Sequence, residues 1–394
     1  MHTLSLTEQG TSLHADGDLL LVQRGQAIVH RVRAAELDQV LLFGRIELSS
    51  GAIALLLRHG IDCVLLTTNG NFRGRLVGRD SKNGALRLAQ YQRASNPQFC
   101  LRIARTLVAA KIKHQRDVLL RAQRRLHDEP LALALGQLRL LAQRAVEAAD
   151  LDLLRGLEGQ AAAVYFAQFQ KLLRNPQFHF SRRSRRPPRD PVNACLSFGY
   201  AVLGTLIETE ICRCGLDPHL GFFHQPEYGR PSLMLDLLEE FRPIIDQLVL
   251  RVINRRQLAP GDFEVRSGKS LVELLADQPP LGEPTEPGDF VLDQPPPPPS
   301  GDPAGQETAL KPATDSPGAN ASANDTQTPQ MGVYLNETGR KVFLVEFFRR
   351  LREQLFYPPR SASMELRDIL REQVYHLARV IEGRQPDYLP FIPN

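Results

Sequence analysis

The chain lacks any apolar run approaching the roughly 20 residues a spanning helix needs. Its longest runs, such as Val40–Phe43 and Ala52–Leu57, are short, so no membrane partner is expected. It also lacks a basic N-terminal flank followed by an apolar core, which reads as a chain without a secretory leader. Cysteine is scarce and odd in number: Cys63, Cys100, Cys195, Cys212 and Cys214 do not make a disulfide framework and fit a reducing, cytoplasmic setting. No Gly-x-Ser-x-Gly elbow or dinucleotide fingerprint is present, and Gly268-Lys269-Ser270 lacks the upstream glycine of a phosphate-binding loop. Outside one segment basic side chains outnumber acidic ones. Residues 261–330 carry twelve acids and three bases, so the overall net charge of +4 leaves +13 on the remainder. That excess favours a polyanionic partner.

What is present suffices for two domains with proper cores: 394 residues, 42% of them hydrophobic. Residues 1–92 read as β-rich, with short apolar or alternating runs at Thr3–Leu6, Leu19–Val22, Ala27–Arg31, Val40–Phe43, Cys63–Leu66 and Leu86–Ala89. Gly-containing turns at 15–18 and 69–71 separate them, and one helix over Ala52–His59 interrupts them, capped near Ser49 and ended by Gly60. From about Asn96 the pattern is helical, and it resumes at Glu337–Phe356 and Met364–Glu382. The expected fold class is therefore α+β: a small β-rich N-terminal domain followed by a mainly α-helical domain over residues 96–266 and 331–394. Between the helical parts, residues 267–330 hold thirteen prolines, from Pro279 to Pro329, and few large apolar side chains after Phe290, the composition of a disordered insertion.

Two stretches carry the positive charge. Leu101–Arg125 has eight bases, Lys111 and Lys113 among them, against Asp117 alone. Residues 181–189 contain Arg182, Arg183, Arg185, Arg186 and Arg189, followed by Asp190 and Pro191 as an N-cap and first helical residue. Either is a candidate for phosphate contact and equally has the composition of a solvated surface.

The chemistry is concentrated in Gly221–Pro243. Pro231 marks a helix start, Leu233, Leu237 and Phe241 form an apolar stripe, and Asp236, Glu239 and Glu240 occupy another face as far as the expected helix end at Glu240. His224 lies upstream, where it can fold back as a neutral imidazole ligand. Glu158 sits on a stripe otherwise formed by Ala162, Tyr165, Phe169 and Leu172, so it needs a cation: an arginine such as Arg155, or a metal. A rival set, Cys212, Cys214, His219 and His224, has the residue types of a zinc site, but Cys-x-Cys is too tight for the usual pairing.

The run from Phe223-His224 to Asp236-Leu-Leu-Glu-Glu-Phe-Arg-Pro243 resembles the CRISPR-associated integrase family, the metal-dependent DNA endonuclease subunit of the spacer-acquisition complex. Residues 154–166, 185–193 and 335–341 agree with it in the same order. The resemblance implies that Glu158, His224 and Glu239 ligate Mg2+ or Mn2+, with Asp236 adjacent as a ligand or a hydrogen-bonding partner. The position of Glu239 is Asp in other members. The resemblance further implies pairing of two subunits through the N-terminal domain, a small dimeric partner protein, and double-stranded DNA as both spacer precursor and repeat array. The same features leave open a non-catalytic DNA-binding scaffold and the integrase of a mobile element.

Overall fold

The structure, a computed structural model, describes residues 3–70, 72–76, 78, 83–184, 187–267 and 331–393. The proline-rich acidic segment expected at 267–330 lies almost wholly outside them. Residues 1–266 and 332–394 belong to one compact unit.

Two four-stranded sheets open the chain. The first has the order Thr3–Leu6 (β1), Gln39–Phe43 (β5), Asp62–Leu66 (β7), Phe72–Leu76 (β8), parallel except for the last pair. The second has the order Ala27–Arg33 (β4), Leu19–Arg24 (β3), Thr11–Asp16 (β2), Glu47–Leu48 (β6). The unbroken apolar sequence of β5 has a direct cause, since both faces of its sheet are covered. Val40 and Leu42 enter a small core with Leu13, Leu20 and Leu56, while Leu41 and Phe43 enter the large core built by the helices. The interrupting helix, Ser50–His59 (α1), is capped by Ser49, whose hydroxyl accepts from the Ala52 amide, and ends on Gly60 at φ 63°.

One expected strand is helical instead. Leu86–Ala89 falls in Gly84–Ala94 (α2), where the Asn83 side chain caps the Leu86 amide and Leu86 and Gln90, one turn apart, are buried. The cap and the four-residue spacing outweigh a short run that looks like alternation. The helices that follow are Pro97–Leu126 (α3), Glu129–Glu147 (α4), Leu151–Ala167 (α5), Pro191–Cys214 (α6) and Ser232–Asn254 (α7). Each of α3 to α6 starts on an Asn or Asp whose side chain accepts an amide of the first turn. By length and composition α6 could cross a membrane, but 78% of its most apolar window is buried inside the protein.

Helix α7 does not stop at Glu240. It continues through Pro243 to Asn254, because Ile244, Ile245, Leu248, Val249 and Val252 bury the second half and offset the hydrogen bond that proline cannot donate. The C-terminal part also departs from expectation. Glu337–Leu351 (α8) and Leu366–Ile381 (α9) flank an antiparallel hairpin of Gln354–Tyr357 (β11) and Ala362–Glu365 (β12), where the sequence pattern suggests longer helices. Pro358 and Pro359 open the short turn Pro358–Arg360 that joins the two hairpin strands.

Candidate active site

Three helices bring the site together. Lys111, near the middle of α3, projects its ammonium onto Glu158 of α5 and within 2.5 Å of Glu239 Oε2 on α7. Glu158 is thus paired, though with neither Arg155 nor a distant arginine; Arg155 binds Asp152 and the Phe223 carbonyl. Glu239 is buried, and its other oxygen accepts from Arg242 Nε at 2.9 Å. Burial alone would raise the Glu239 carboxyl, yet Arg242 and Lys111 hold it well below the usual carboxylate range. Its Oε2 is paired with the ammonium of Lys111.

Asp236 does different work. Its Oδ2 accepts from the amides of Phe222 at 2.6 Å and Phe223 at 2.9 Å; its Oδ1 accepts from the amide of His224 at 2.8 Å and from His224 Nδ1 at 2.7 Å. Both oxygens are committed and the residue is fully buried, so Asp236 positions the loop and the imidazole. Because a carboxylate only accepts, Nδ1 carries the proton and Nε2 is left as the lone-pair nitrogen. This is the arrangement by which a carboxylate orients a ligating histidine. Gly221 permits it: a Cβ there would lie 2.7 Å from Asp236 Oδ2 and 2.8 Å from the Ser232 carbonyl carbon.

Asp236, Glu239 and Glu240, expected on one face of α7, do not share one set of partners. Glu240, about 100° around the helix from Glu239, is buried among other partners, accepting from Tyr388 Oη at 2.7 Å, the Phe391 amide at 2.9 Å and Gln373 Nε2 at 3.1 Å. With no cation beside it, burial pushes its carboxyl up to about 7 against those hydrogen bonds. Asp246, one further turn and a half along α7, accepts from Tyr165 Oη at 3.0 Å and from Tyr200 Oη, and burial raises it to about 6.

Two nucleic-acid candidates turn inward. Lys111 is buried between the carboxylates and presents no surface to a duplex. A signal for this is present in the sequence, since Lys111 follows Ile103 and Leu107 at four-residue spacing on the buried side of α3. Arg183 donates to Asn193 Oδ1 at 2.7 Å and Ser197 Oγ at 3.1 Å and lies 5.5 Å from the centre of the Tyr200 ring. Lys113 and Arg182 are exposed, whereas Arg185 and Arg186 lie outside the described residues. The zinc set does not assemble: among the described residues no three His, Cys, Asp or Glu side chains are gathered as an ion site, and burial pushes the Cys212 and Cys214 thiols up to about 11.

The donor chemistry nonetheless fits a hard divalent cation. Glu158 and Glu239 already converge on one positive charge, and carboxylate and imidazole are donors that such an ion accepts. Among the described residues His224 is not gathered with Glu158 and Glu239 as a three-ligand ion site; the two carboxylates meet on the ammonium of Lys111.

Residues 4–277 match the family profile described as "CRISPR associated protein Cas1". A CRISPR-associated endonuclease Cas1 of Rhodospirillum rubrum is 41% identical over 71% of this chain and 83% of its own length. A Cas4 exonuclease/Cas1 endonuclease fusion of Geobacter sulfurreducens is 33% identical over 96% of this chain, which spans 58% of that longer protein. Among solved structures, a casposase bound to integration product superposes with a TM-score of 0.72 at 20% identity, covering all of this chain and 94% of the other. A chain of a Cas6-RT-Cas1–Cas2 complex does so with 0.73 at 22% identity, covering 99% of this chain and 36% of that one. At such identities the last two establish likeness of fold.

Proposed function

Because the chain belongs to the CRISPR-associated Cas1 family, we propose that it is a DNA endonuclease and integrase of CRISPR adaptation. It joins the 3′-hydroxyls of a short duplex, the spacer precursor, to opposite strands of a repeat array by two transesterifications. The observation that carries this reading is the convergence of Glu158 and Glu239 from separate helices on one cationic position, with His224, oriented by Asp236, as the third candidate ligand. Glu158, Glu239 and His224 Nε2 would hold Mg2+ or Mn2+, which when bound supplies charge neutralisation at phosphate and a lowered pKa for an attacking hydroxyl or water. Arg242 fixes one oxygen of Glu239 and so directs the other toward the site. Asp236 keeps the imidazole nitrogen aimed without itself spending an oxygen on the ion. Exposed Lys113 and Arg182 supply phosphate contacts that position a duplex without reading its sequence. A homodimer working with a small dimeric partner protein in the cytoplasm completes the reading, supported by the likeness to a chain from a Cas1–Cas2 assembly.

The double ion pair on Lys111 is what a non-catalytic DNA-binding scaffold would also have, and the likeness to a casposase is what the integrase of a mobile element would have. Divalent-cation dependence separates the scaffold, and gene neighbourhood the mobile element. The test is strand transfer by the purified protein with its small partner and a labelled duplex. Activity is expected with Mn2+ and not with a chelator, and His224→Ala should lower it more than about 100-fold. Undiminished transfer in that variant would remove His224 from the site.

A further inference from the structure

We propose that Lys111 is a resident counter-ion of the metal site. Its ammonium holds Glu158 and Glu239 together in the metal-free protein and is displaced when a divalent cation binds, so that it sets the site's metal affinity. The inference rests on the reading of Glu158, His224 and Glu239 as ligands.

The charges fix the argument. Glu239 is almost fully enclosed, with one oxygen on Arg242 and the other on Lys111, and Glu158 shares the same ammonium. Two carboxylates and two cations make a neutral cluster. The side chain of Lys111 is 5% exposed, so solvent does little to screen it. Without that ammonium, two carboxylates would face each other in a poorly solvated place, which is costly for a folded protein lacking any ion. With it, the metal-free site is formed in advance, from three helices, at roughly the geometry of two convergent ligands.

The same ammonium opposes loading. It lies within ion-pair distance of the oxygens that a divalent cation would take, so both cannot occupy that point, and their proximity would be repulsive. Lys111 must therefore swing away, giving up both carboxylates, before or as the ion enters. The apparent affinity is reduced by the free energy of that exchange. Arg242 need not move, because it holds the oxygen of Glu239 that points away from Lys111.

The experiment is calorimetric titration of the full-length protein with Mn2+, together with its thermal unfolding with and without Mn2+. Lys111→Met keeps the length and removes the charge; Lys111→Gln serves the same purpose if the first variant does not fold. Either neutral variant should bind Mn2+ at least about tenfold more tightly than wild type, and Lys111→Arg should stay near wild type. In unfolding, the neutral variant should melt lower than wild type in chelator and recover most of the difference in Mn2+. Non-specific DNA affinity and its salt dependence in chelator should not change, since Lys111 does not reach the surface. Glu239→Gln provides the control on the underlying site. If Mn2+ binding is lost in Glu239→Gln but Lys111→Met binds no more tightly than wild type, the counter-ion role is wrong and the ligand assignment stands. If Glu239→Gln binds Mn2+ as wild type does, the ligand assignment fails and takes this inference with it.

Discussion

Asp246 shows how far a single residue's surroundings decide its behaviour. It is enclosed by α5, α6 and α7, takes hydrogen bonds from Tyr165 and Tyr200, and feels the charges of Arg183 and Arg242, yet burial prevails and raises its carboxyl from 3.8 to about 6. A carboxyl raised in the folded state is bound to its proton more firmly there than in the unfolded chain. Stability from this group is therefore greatest below pH 4, falls as pH rises to about 6, and is level above that, a change of roughly 3 kcal/mol. Asp246→Asn, which keeps the shape and an accepting oxygen, should gain stability relative to wild type as pH rises from 4 to 7 in denaturant unfolding. A difference that does not vary with pH would show that Asp246 keeps an ordinary affinity for its proton. At this scale the sequence revealed residue types better than partners. His224 and Asp236 were legible as neighbours because a loop precedes a helix, whereas the separation of Glu240 from Glu239 was not, since it depends on the return of Tyr388 and Phe391 from the C-terminus.

Among the elements, the arginine-bearing segment before α6 divides into inward and outward members. Arg183 is built into the start of that helix through Asn193 and Ser197, so Arg183→Ala should cost about 1–3 kcal/mol in unfolding and alter DNA binding little. Arg182 is exposed. Arg182→Ala should leave stability unchanged and flatten the slope of log DNA affinity against log salt by about 0.9, the change for one lost duplex phosphate contact. The opposite assignment of effects would mean that the loop rearranges when it meets DNA. The start of α6 was readable from Asp190 and Pro191, because caps are local chemistry, whereas the equally local cap at Asn83 was passed over for a strand. Helix ends were less readable. The run of α7 through Pro243 and the hairpin of β11 and β12 depend on burial supplied by distant parts of the chain, which no local pattern records.

For the molecule as a whole, the sheet of β1, β5, β7 and β8 lies between the small N-terminal core and the large helical core, and the helical core holds the site. The chain leaves it at Phe263–Ser267 (β9) and returns at Met331–Leu335 (β10), and these two strands are hydrogen-bonded neighbours. A short linker can therefore replace residues 268–330. Such a variant should fold and retain strand transfer; aggregation, or loss of all transfer with the partner and Mn2+ present, would show that the segment is structural. The acidic charge counted from 261 to 330 gives it one further expected effect, tighter DNA binding by the deletion variant at low salt and not at high.

The account turns on Glu239, whose one oxygen is fixed by Arg242 while the other faces Lys111 and the proposed ion. The most direct measurement is Mn2+-dependent strand transfer by Glu239→Gln, with duplex affinity measured on the same preparation. The expected result is transfer lowered more than about 100-fold with duplex affinity near that of wild type. Transfer at the wild-type rate by a folded Glu239→Gln protein would contradict the site.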